Sequence, residues 1–137
     1  MPENSTEAKI LRRYRVIAMV GASANPERPS YRVNEYLTGQ GYQVIPVNPG
    51  EKTVQGRTSY PSLSAVPETV EVVDIFRKPE DVPPVVDEAI RIGAKAVWMQ
   101  EGVISEAAAA SARKAGLLVV MDRCMRKEHM RLFGGKE

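Results

Sequence analysis

The residues best suited to chemistry lie in one loop, between an apolar run and a segment with helical spacing. In the stretch VIAMVGASANPERPSY, the apolar run ends at Gly21, Ala22 and Ser23, and Arg28 and Ser30 follow. A glycine lets the backbone approach a ligand closely, a serine can cap a helix, and the free amides at a helix start favour an anion. With the positive charge of Arg28, the loop indicates a site for phosphate.

A second interpretation is that this loop only turns the chain, because Asn25, Pro26 and Pro29 are typical turn residues. The loop has neither the spaced glycines of G-x-G-x-x-G nor the Gly-Lys-Ser/Thr ending of a P-loop, which argues against a nucleotide triphosphatase. A site for NAD would also need an acidic residue at the end of the second strand. The chain has Asn48 and Pro49 there, and Asn48 could hydrogen-bond a sugar or a base.

Two more apolar runs end in polar residues. Arg77 and Lys78 follow VEVVDIF, and Gln100, Glu101 and Gly102 follow AVWM. Each group has an ordinary explanation, because the two cations could form a solvated turn and Glu101 could complement a helix dipole. Ligands of open parallel sheets bind beyond the carboxyl ends of the strands. The convergence of both groups with the first loop therefore favours one binding site.

The elements that would position these residues repeat in a regular order. Apolar runs alternate with helix-like segments, and a glycine that can end the helix follows three of those segments. Near-continuous apolar strands are typical of a parallel sheet buried on both faces. The pattern predicts an α/β fold with a doubly wound, mostly parallel sheet in the order 3-2-1-4-5-6 and helices on both faces. The predicted strands are 16–20, 44–47, 70–76, 96–99 and 117–121, with a weak edge strand near 57–60, and the predicted helices are the first dozen residues, 30–38, 80–92 and 105–115.

Length and composition limit the possible functions. The 137 residues suit a single domain, and a formal net charge of +2 is too small to indicate binding to nucleic acid or to an anionic membrane. Cys124 has no partner for a disulfide, and the polar N-terminus lacks the apolar core of a signal peptide. We therefore expect a cytoplasmic protein. In the polar segment MRKEHMRLF, a solvated or packing role is expected for His129.

Six segments in order resemble a known family. VGAS, RPSYRV, PVNPG, FRKPEDVP, IGAKAVWMQEGVI and VVMDRC look like the stand-alone CoA-binding proteins, which are similar to the N-terminal CoA-binding domain of the succinyl-CoA synthetase α subunit. The resemblance covers roughly residues 7–124. It implies a Rossmann-like domain that holds coenzyme A, or a short acyl-CoA, across the point where the strand order reverses.

The resemblance also implies which residues contact the cofactor. The Gly21-Ala22-Ser23 turn matches the phosphate-side loop of the ligase, and Asn48-Pro49-Gly50 matches its Thr-Pro-Gly segment. A lysine that follows this segment in the ligase falls on Glu51 here, with Lys52 one place later. The remaining expected contacts lie at the ends of strands or at the start of the next helix: Arg28, Ser30, Phe76, Arg77, Lys78, Met99, Gln100, Glu101 and Gly102.

Three functions stay open at this point. The first is a CoA-binding module with no catalytic residue and no metal. The second is an NADP- or nucleotide-dependent enzyme, for which Glu101 and Cys124 are the candidates, although neither has a partner in the sequence. The third is a CoA-responsive adaptor or sensor with an unknown protein partner. Complete ligase activity is not expected, because the chain lacks the phosphohistidine domain and the partner subunit that the synthetase needs.

Overall fold

A parallel sheet organises residues 5–134, the part of the chain that the computed structural model describes. The strands are β1 (Val16–Val20), β2 (Gln43–Val47), β3 (Thr53–Val54), β4 (Arg57–Thr58), β5 (Val72–Ile75), β6 (Ala96–Met99) and β7 (Leu118–Val120). Five of them form the sheet, in the order β2-β1-β5-β6-β7, with every neighbouring pair parallel. β3 and β4 pair with each other as a separate antiparallel hairpin.

The predicted strand order is confirmed, with the third strand reduced to a single bridge. Tyr60, just after β4, makes an isolated parallel bridge to Val47 on the outer side of β2. The amide of Tyr60 donates to the carbonyl of Pro46 (3.1 Å), and its carbonyl accepts from the amide of Asn48 (2.8 Å). Because a proline has no N–H to donate, Pro46 weakens further pairing at this edge. The weak edge strand predicted near residues 57–60 is thus partly hairpin and partly bridge.

The helices are α1 (Thr6–Arg13), α2 (Pro29–Gly39), α3 (Val82–Arg91), α4 (Glu106–Lys114) and α5 (Met125–Phe133). The first four were predicted, although residues 1–4 of the first prediction lie outside the described part of the chain. The helix α3 begins at Val82, after a short 3-10 turn at Pro79–Asp81, because prolines at 83 and 84 are tolerated only in a first turn. The helix α5 was missed, since its segment was interpreted as a polar tail.

Both faces of the sheet are covered, which explains why its five strands are apolar except at Gln43 and Asp74. α3 and α4 pack on one face, against alternate strand residues such as Val73 and Val97. On the other face α1, α2 and α5 cover Ile17, Met19 and Trp98. The carboxyl ends of all five strands are therefore left at one open edge, with the reversal of strand order between β1 and β5.

His129 packs α5 against the body of the protein. It is 9% exposed, and its Nδ1 lies 2.7 Å from the hydroxyl of Tyr36 on α2. Its ring also meets Tyr42 edge-on and Phe133 at a tilt. Of the two roles expected for His129, the structure supports packing. Burial, together with the charge of Arg15, lowers the pKa of His129 below its ordinary value.

The lowered pKa of His129 predicts a loss of stability in acid. The unfolded chain protonates His129 more readily than the folded protein does. The contribution of His129 to the free energy of unfolding is therefore complete above pH 6.5 and is lost as pH falls below it. A His129→Gln variant can still hydrogen-bond Tyr36 but cannot titrate. Urea denaturation at pH 7 and at pH 5 gives the change in the free energy of unfolding on acidification, and this change should be less favourable for wild type than for the variant. Equal changes in the two proteins would contradict this account of His129.

Candidate functional site

The loop after β1 is organised by its own side chains. The amide of Gly21 donates to the carbonyl of Val47 (2.9 Å), which extends the contact of β1 with β2 by one residue. Ser23 Oγ then accepts from the amide of Asn25 (3.0 Å), and Asn25 Oδ1 accepts from the amide of Glu27 (3.0 Å). These two side-chain turns give the middle of the loop a defined shape through local hydrogen bonds.

Gly21 is required by a close approach of two backbone segments. Its φ is +91°, and a Cβ built there would lie 2.1 Å from the carbonyl oxygen of Phe76 and 3.0 Å from the carbonyl carbon. Phe76 itself donates to the carbonyl of Val20 (2.8 Å), so the ends of β1 and β5 stay in register up to this contact. The sequence suggested that Gly21 makes room for a ligand. In the structure, the space beside its Cα is filled by the protein backbone.

Three consecutive amides in this loop are unused. The N–H groups of Ala22, Ser23 and Ala24 donate to no acceptor within residues 5–134. Ala22 has no exposed surface, and buried amides are nearly always paired. Its carbonyl, in contrast, accepts from Asn48 Nδ2 (2.8 Å). A run of unpaired amides is the arrangement that binds the oxygens of an anion.

The start of α2 adds positive potential beside these amides. Arg28 occupies the N-cap position without a capping hydrogen bond from its side chain, and Pro29 is the first helical residue. Our prediction that Ser30 caps the helix is wrong, because Ser30 lies inside the first turn and is buried. Since the first turn of α2 contains no acidic residue, nothing in that turn compensates the positive end of the helix dipole.

Asn48 connects the loops that follow β1 and β2. Its Nδ2 bonds Ala22, and its Oδ1 accepts from the amide of Gly50 (2.9 Å), while its backbone carbonyl accepts from Ser59 Oγ (3.2 Å). Both polar atoms of the side chain are therefore already engaged within the protein. Pro49, next to it, is exposed.

Cations follow the ends of three neighbouring strands. Lys52 follows β2, Arg28 follows β1, and Arg77 and Lys78 follow β5, where Phe76 is half-buried. None of the four charged side chains makes a hydrogen bond or an ion pair within the described part of the chain. The site therefore carries positive charge that no carboxylate of the protein neutralises by contact.

The loop after β6 is tied to α5 instead. The side chain of Met99 is fully buried in the core, and Gln100 is 3% exposed. Glu101 pairs with Lys127 at 3.0 Å, with both side chains more than half exposed. The amide of Gly102 donates to Asp122 Oδ1 (2.8 Å). Of this group, the structure thus leaves Glu101 and Gly102 exposed at the edge and places the other two inside.

Sequence reasoning missed Asp74, a carboxyl group in the middle of β5. Asp74 is fully buried, and its strand neighbours in register are Met19 and Trp98. Burial raises the pKa of Asp74 to about 8, while a hydrogen bond from Gln100 opposes the rise. Its Oδ2 has no partner among the described residues. The one acidic residue inside the run VVDIF was the signal that could have marked it.

These features define the class of the protein. A doubly wound parallel sheet, with unpaired amides and cations at the point of strand reversal, is typical of a Rossmann-like domain that binds a phosphate-bearing cofactor. Comparison with known families narrows the class. Residues 15–130 match the CoA binding domain family, and the chain belongs to that family. The resemblance noted in the sequence is confirmed.

Known relatives cover nearly the whole chain. The chain is 33% identical to "Uncharacterized protein YneT" of Bacillus subtilis over 93% of this chain and 95% of that protein. It is 44% identical to a solved hypothetical protein from Pyrococcus horikoshii, with a TM-score of 0.92 over 98% of this chain and 96% of that one. A dinucleotide-forming acetyl-coenzyme A synthetase of Ca. Korarchaeum cryptofilum is 27% identical, with a TM-score of 0.68 over 77% of this chain and 25% of that one.

Among residues 5–134, no helix has the length and apolar character needed to cross a bilayer. The same residues contain no group of three or more His, Cys, Asp or Glu side chains suited to holding a metal ion.

The contact of Gly21 with Phe76 predicts a large effect of one added methyl group. Gly21→Ala combines a positive φ with a clash against backbone, and we expect a loss of about 2 kcal/mol or more in the free energy of unfolding. Gly41→Ala is the matched control, because Gly41 has a φ of +96° but no atom within 4 Å of the added Cβ. Urea denaturation of both variants isolates the clash. Equal losses would show that only the backbone conformation matters.

The buried carboxyl of Asp74 predicts a stabilising substitution. Because its folded pKa of about 8 lies above the unfolded value of about 4, the unfolded chain loses the proton first, and stability falls as pH rises between these values. Asp74→Asn should therefore raise the free energy of unfolding at pH 7, by up to about 4 kcal/mol. The gain should shrink toward pH 4. Denaturation at both pH values tests this, and a variant less stable than wild type at pH 7 would contradict it.

Proposed function

We propose that the protein binds coenzyme A at the carboxyl edge of its sheet. The observation that carries the proposal is the run of amides after β1 that have no acceptor within residues 5–134, in which Ser23 is half-buried and Ala24 is exposed, so that a ligand can reach them. An anion with several oxygens would satisfy these donors, and the diphosphate of CoA is such a group. Membership in the CoA binding domain family supports the same cofactor.

The loop sequences favour CoA over NAD and ATP. NAD recognition in Rossmann folds commonly uses a carboxylate at the end of the second strand. That place holds Asn48, whose side chain is engaged by Ala22 and Gly50. A triphosphate site of the P-loop type needs a lysine that the loop after β1 does not contain.

The 3′-phosphate on the ribose of CoA needs a cation of its own. Arg77 and Lys78 follow β5, which lies directly beside β1 in the sheet. Neither side chain has a partner within the described residues, so binding a phosphate would cost them no existing contact. We assign the 3′-phosphate to this pair, with Arg28 and Lys52 as the next cations along the edge.

The proposed role is binding, of CoA or a short acyl-CoA, without complete ligase activity. In the structure, neither of the two candidate catalytic residues, Glu101 and Cys124, is arranged for catalysis. Glu101 is paired with Lys127, and Cys124 is buried at 9% exposure at the start of α5. A nucleophile in catalysis needs a base within hydrogen-bond reach, and no such base contacts Cys124 among the described residues.

Competition calorimetry tests the proposal with CoA, dephospho-CoA, acetyl-CoA, NADP and ATP. We expect wild type to bind CoA at least several-fold more tightly than dephospho-CoA, because the latter lacks the 3′-phosphate. A charge-assisted hydrogen bond is worth about 1.5 to 3 kcal/mol, or about 10- to 150-fold, and exposure places this one at the low end. Replacing both Arg77 and Lys78 with Ala should reduce the ratio of the affinity for CoA to the affinity for dephospho-CoA.

The matched control for that variant replaces Arg113 and Lys114 with Ala. This pair makes the same change in charge at the end of α4, and it precedes the amino end of β7 rather than following a strand. The control should keep the full preference for CoA. If the variant at 77 and 78 keeps it too, the 3′-phosphate is held elsewhere. Equal affinity for NADP and CoA would overturn the assignment of the cofactor.

A further inference from the structure

Gln100 joins three parts of the molecule through one amide group. Its Oε1 accepts from the amide of Met125 at 3.3 Å, and its Nε2 donates to Asp74 Oδ1. The orientation of the amide follows from chemistry, because the Met125 N–H is a donor and requires the oxygen. The nitrogen must then face Asp74. Gln100 thus links β5 and the start of α5 at the end of β6.

The bonds around Gln100 hold the loop of residues 100–103 in place. The backbone carbonyl of Gln100 accepts from the amide of Val103 (2.8 Å), which closes a tight turn around Glu101 and Gly102. The side chain of Glu101, which lies in this turn, forms an ion pair with Lys127 of α5. The start of α5 is attached a second time, because Trp98 Nε1 donates to the carbonyl of Arg123 (2.9 Å).

α5 also reaches the other half of the candidate site. Four residues after Met125, about one helical turn, His129 is hydrogen-bonded to Tyr36 of α2. Arg28 is the N-cap residue of α2, at the end of the loop that carries the unused amides. α5 therefore contacts the loop after β6 through Gln100 and contacts α2 through Tyr36, so a displacement of α5 would affect both.

Asp74, in its buried position, lowers the stability of the folded protein. It is fully buried between Met19 and Trp98, and one of its two oxygens has no partner within residues 5–134. No charged neighbour contributes to its raised pKa, since burial alone raises the pKa and the hydrogen bond from Gln100 opposes the rise. A buried polar group that lowers stability and lies beside a site is commonly retained for function.

The helices that pack on this face bring no charge to Asp74. The buried residues of α1 are apolar, and α2 buries the uncharged Ser30 and Asn34. The titratable groups of α2 and α5 on this face are Tyr36 and His129, which contact each other, and the buried thiol of Cys124 lies at the start of α5. Within residues 5–134, Asp74 is the titratable group that hydrogen-bonds the side chain of Gln100.

We propose that Asp74, acting through Gln100, is a positioning residue that holds the loop of residues 100–103 and the first turn of α5 in the arrangement that binds the cofactor. Ionisation of Asp74 then weakens binding, because a buried carboxylate with an unpaired oxygen must draw water into the packed face that holds this loop. The inference rests on the proposed binding of CoA. It adds a dependence of that binding on the protonation of one buried carboxyl.

The size of the effect follows from the population of the neutral form. With a pKa of about 8, the neutral form is about nine-tenths of the protein at pH 7 and about one-tenth at pH 9. If the neutral form alone binds, the apparent Kd for CoA rises about tenfold between these pH values.

Calorimetry with CoA from pH 6 to pH 9 tests the inference on three proteins. Asp74→Asn keeps an oxygen for Gln100 and cannot ionise, so it should bind as wild type does at pH 7 without the additional loss at pH 9. Asp74→Leu removes the oxygen and should bind several-fold more weakly at every pH. The ligand titrates identically in all experiments, so the difference between wild type and Asp74→Asn isolates Asp74. Val72→Ala, on the same face of β5 and fully buried, controls for a loss of stability alone and should keep the wild-type pH profile.

A measurement without ligand separates this inference from the proposed function. The amide NMR signals of Gly102 and Met125 should shift with a midpoint near pH 8 in wild type and should not shift there in Asp74→Asn. The positioning role of Asp74 would be overturned if these amide signals did not change with pH in wild type, or if they shifted equally in Asp74→Asn. So would identical pH profiles of CoA affinity in the two proteins. A wild-type protein that binds no CoA at any pH would overturn the proposed function instead, and the amide signals would then decide the role of Asp74.

Discussion

A backbone contact with no room for a side chain fixes the edge of the sheet where the candidate site lies. The Cα of Gly21 faces the carbonyl of Phe76 so closely that an added Cβ would come within 2.1 Å of the oxygen. β1 and β5 are the strands on either side of the order reversal, so this contact brings their two loops together at the switch point. The loop after β1 then turns over the edge, where Asn48 holds it by the carbonyl of Ala22.

Few buried polar side-chain atoms lack a partner within residues 5–134, and they belong to Asn34, Gln55 and Asp74. The core clusters on the two faces of the sheet are almost entirely apolar. Among the described residues, in contrast, the loop after β1 has unused amides and the neighbouring strand ends carry four cations without a partner. A folded chain gains nothing from such an arrangement by itself, and violations of local consistency concentrate at functional sites. The excess of donors and positive charge is therefore best understood as the complement of a bound polyanion.

The helices and strands that the sequence predicts well are those whose conformation follows from the pattern of residues within the element itself. Continuous apolar runs between glycines define the five strands, because a parallel sheet buried on both faces admits no alternation. The positions of Arg77 and Lys78 at the carboxyl edge could be predicted, because every parallel strand ends at the same edge. α5 was missed because its inward positions, Met125 and His129, look polar or isolated until Tyr36 and Tyr42 surround the histidine.

Contacts between distant segments were beyond reach from the sequence. Ser30 fits a cap by residue type, but Pro29 with its fixed φ takes the first helical position and moves the cap to Arg28. The reason for Gly21 is a carbonyl 55 residues later in the chain, and Asn48 was expected to face a ligand because its partners at 22 and 50 could not be known. The network of Asp74, Gln100 and Met125 depends on the pairing of β5 with β6 and on a helix that was not predicted.

Native mass spectrometry of the protein titrated with CoA tests the central claim most directly, since it counts bound molecules without assuming which residues hold them. The account predicts a mass increase of one CoA per chain at low micromolar ligand, and displacement of added dephospho-CoA by CoA in an equimolar mixture. A protein that gains no mass from CoA, or that retains NADP or ATP in preference to CoA, would contradict it.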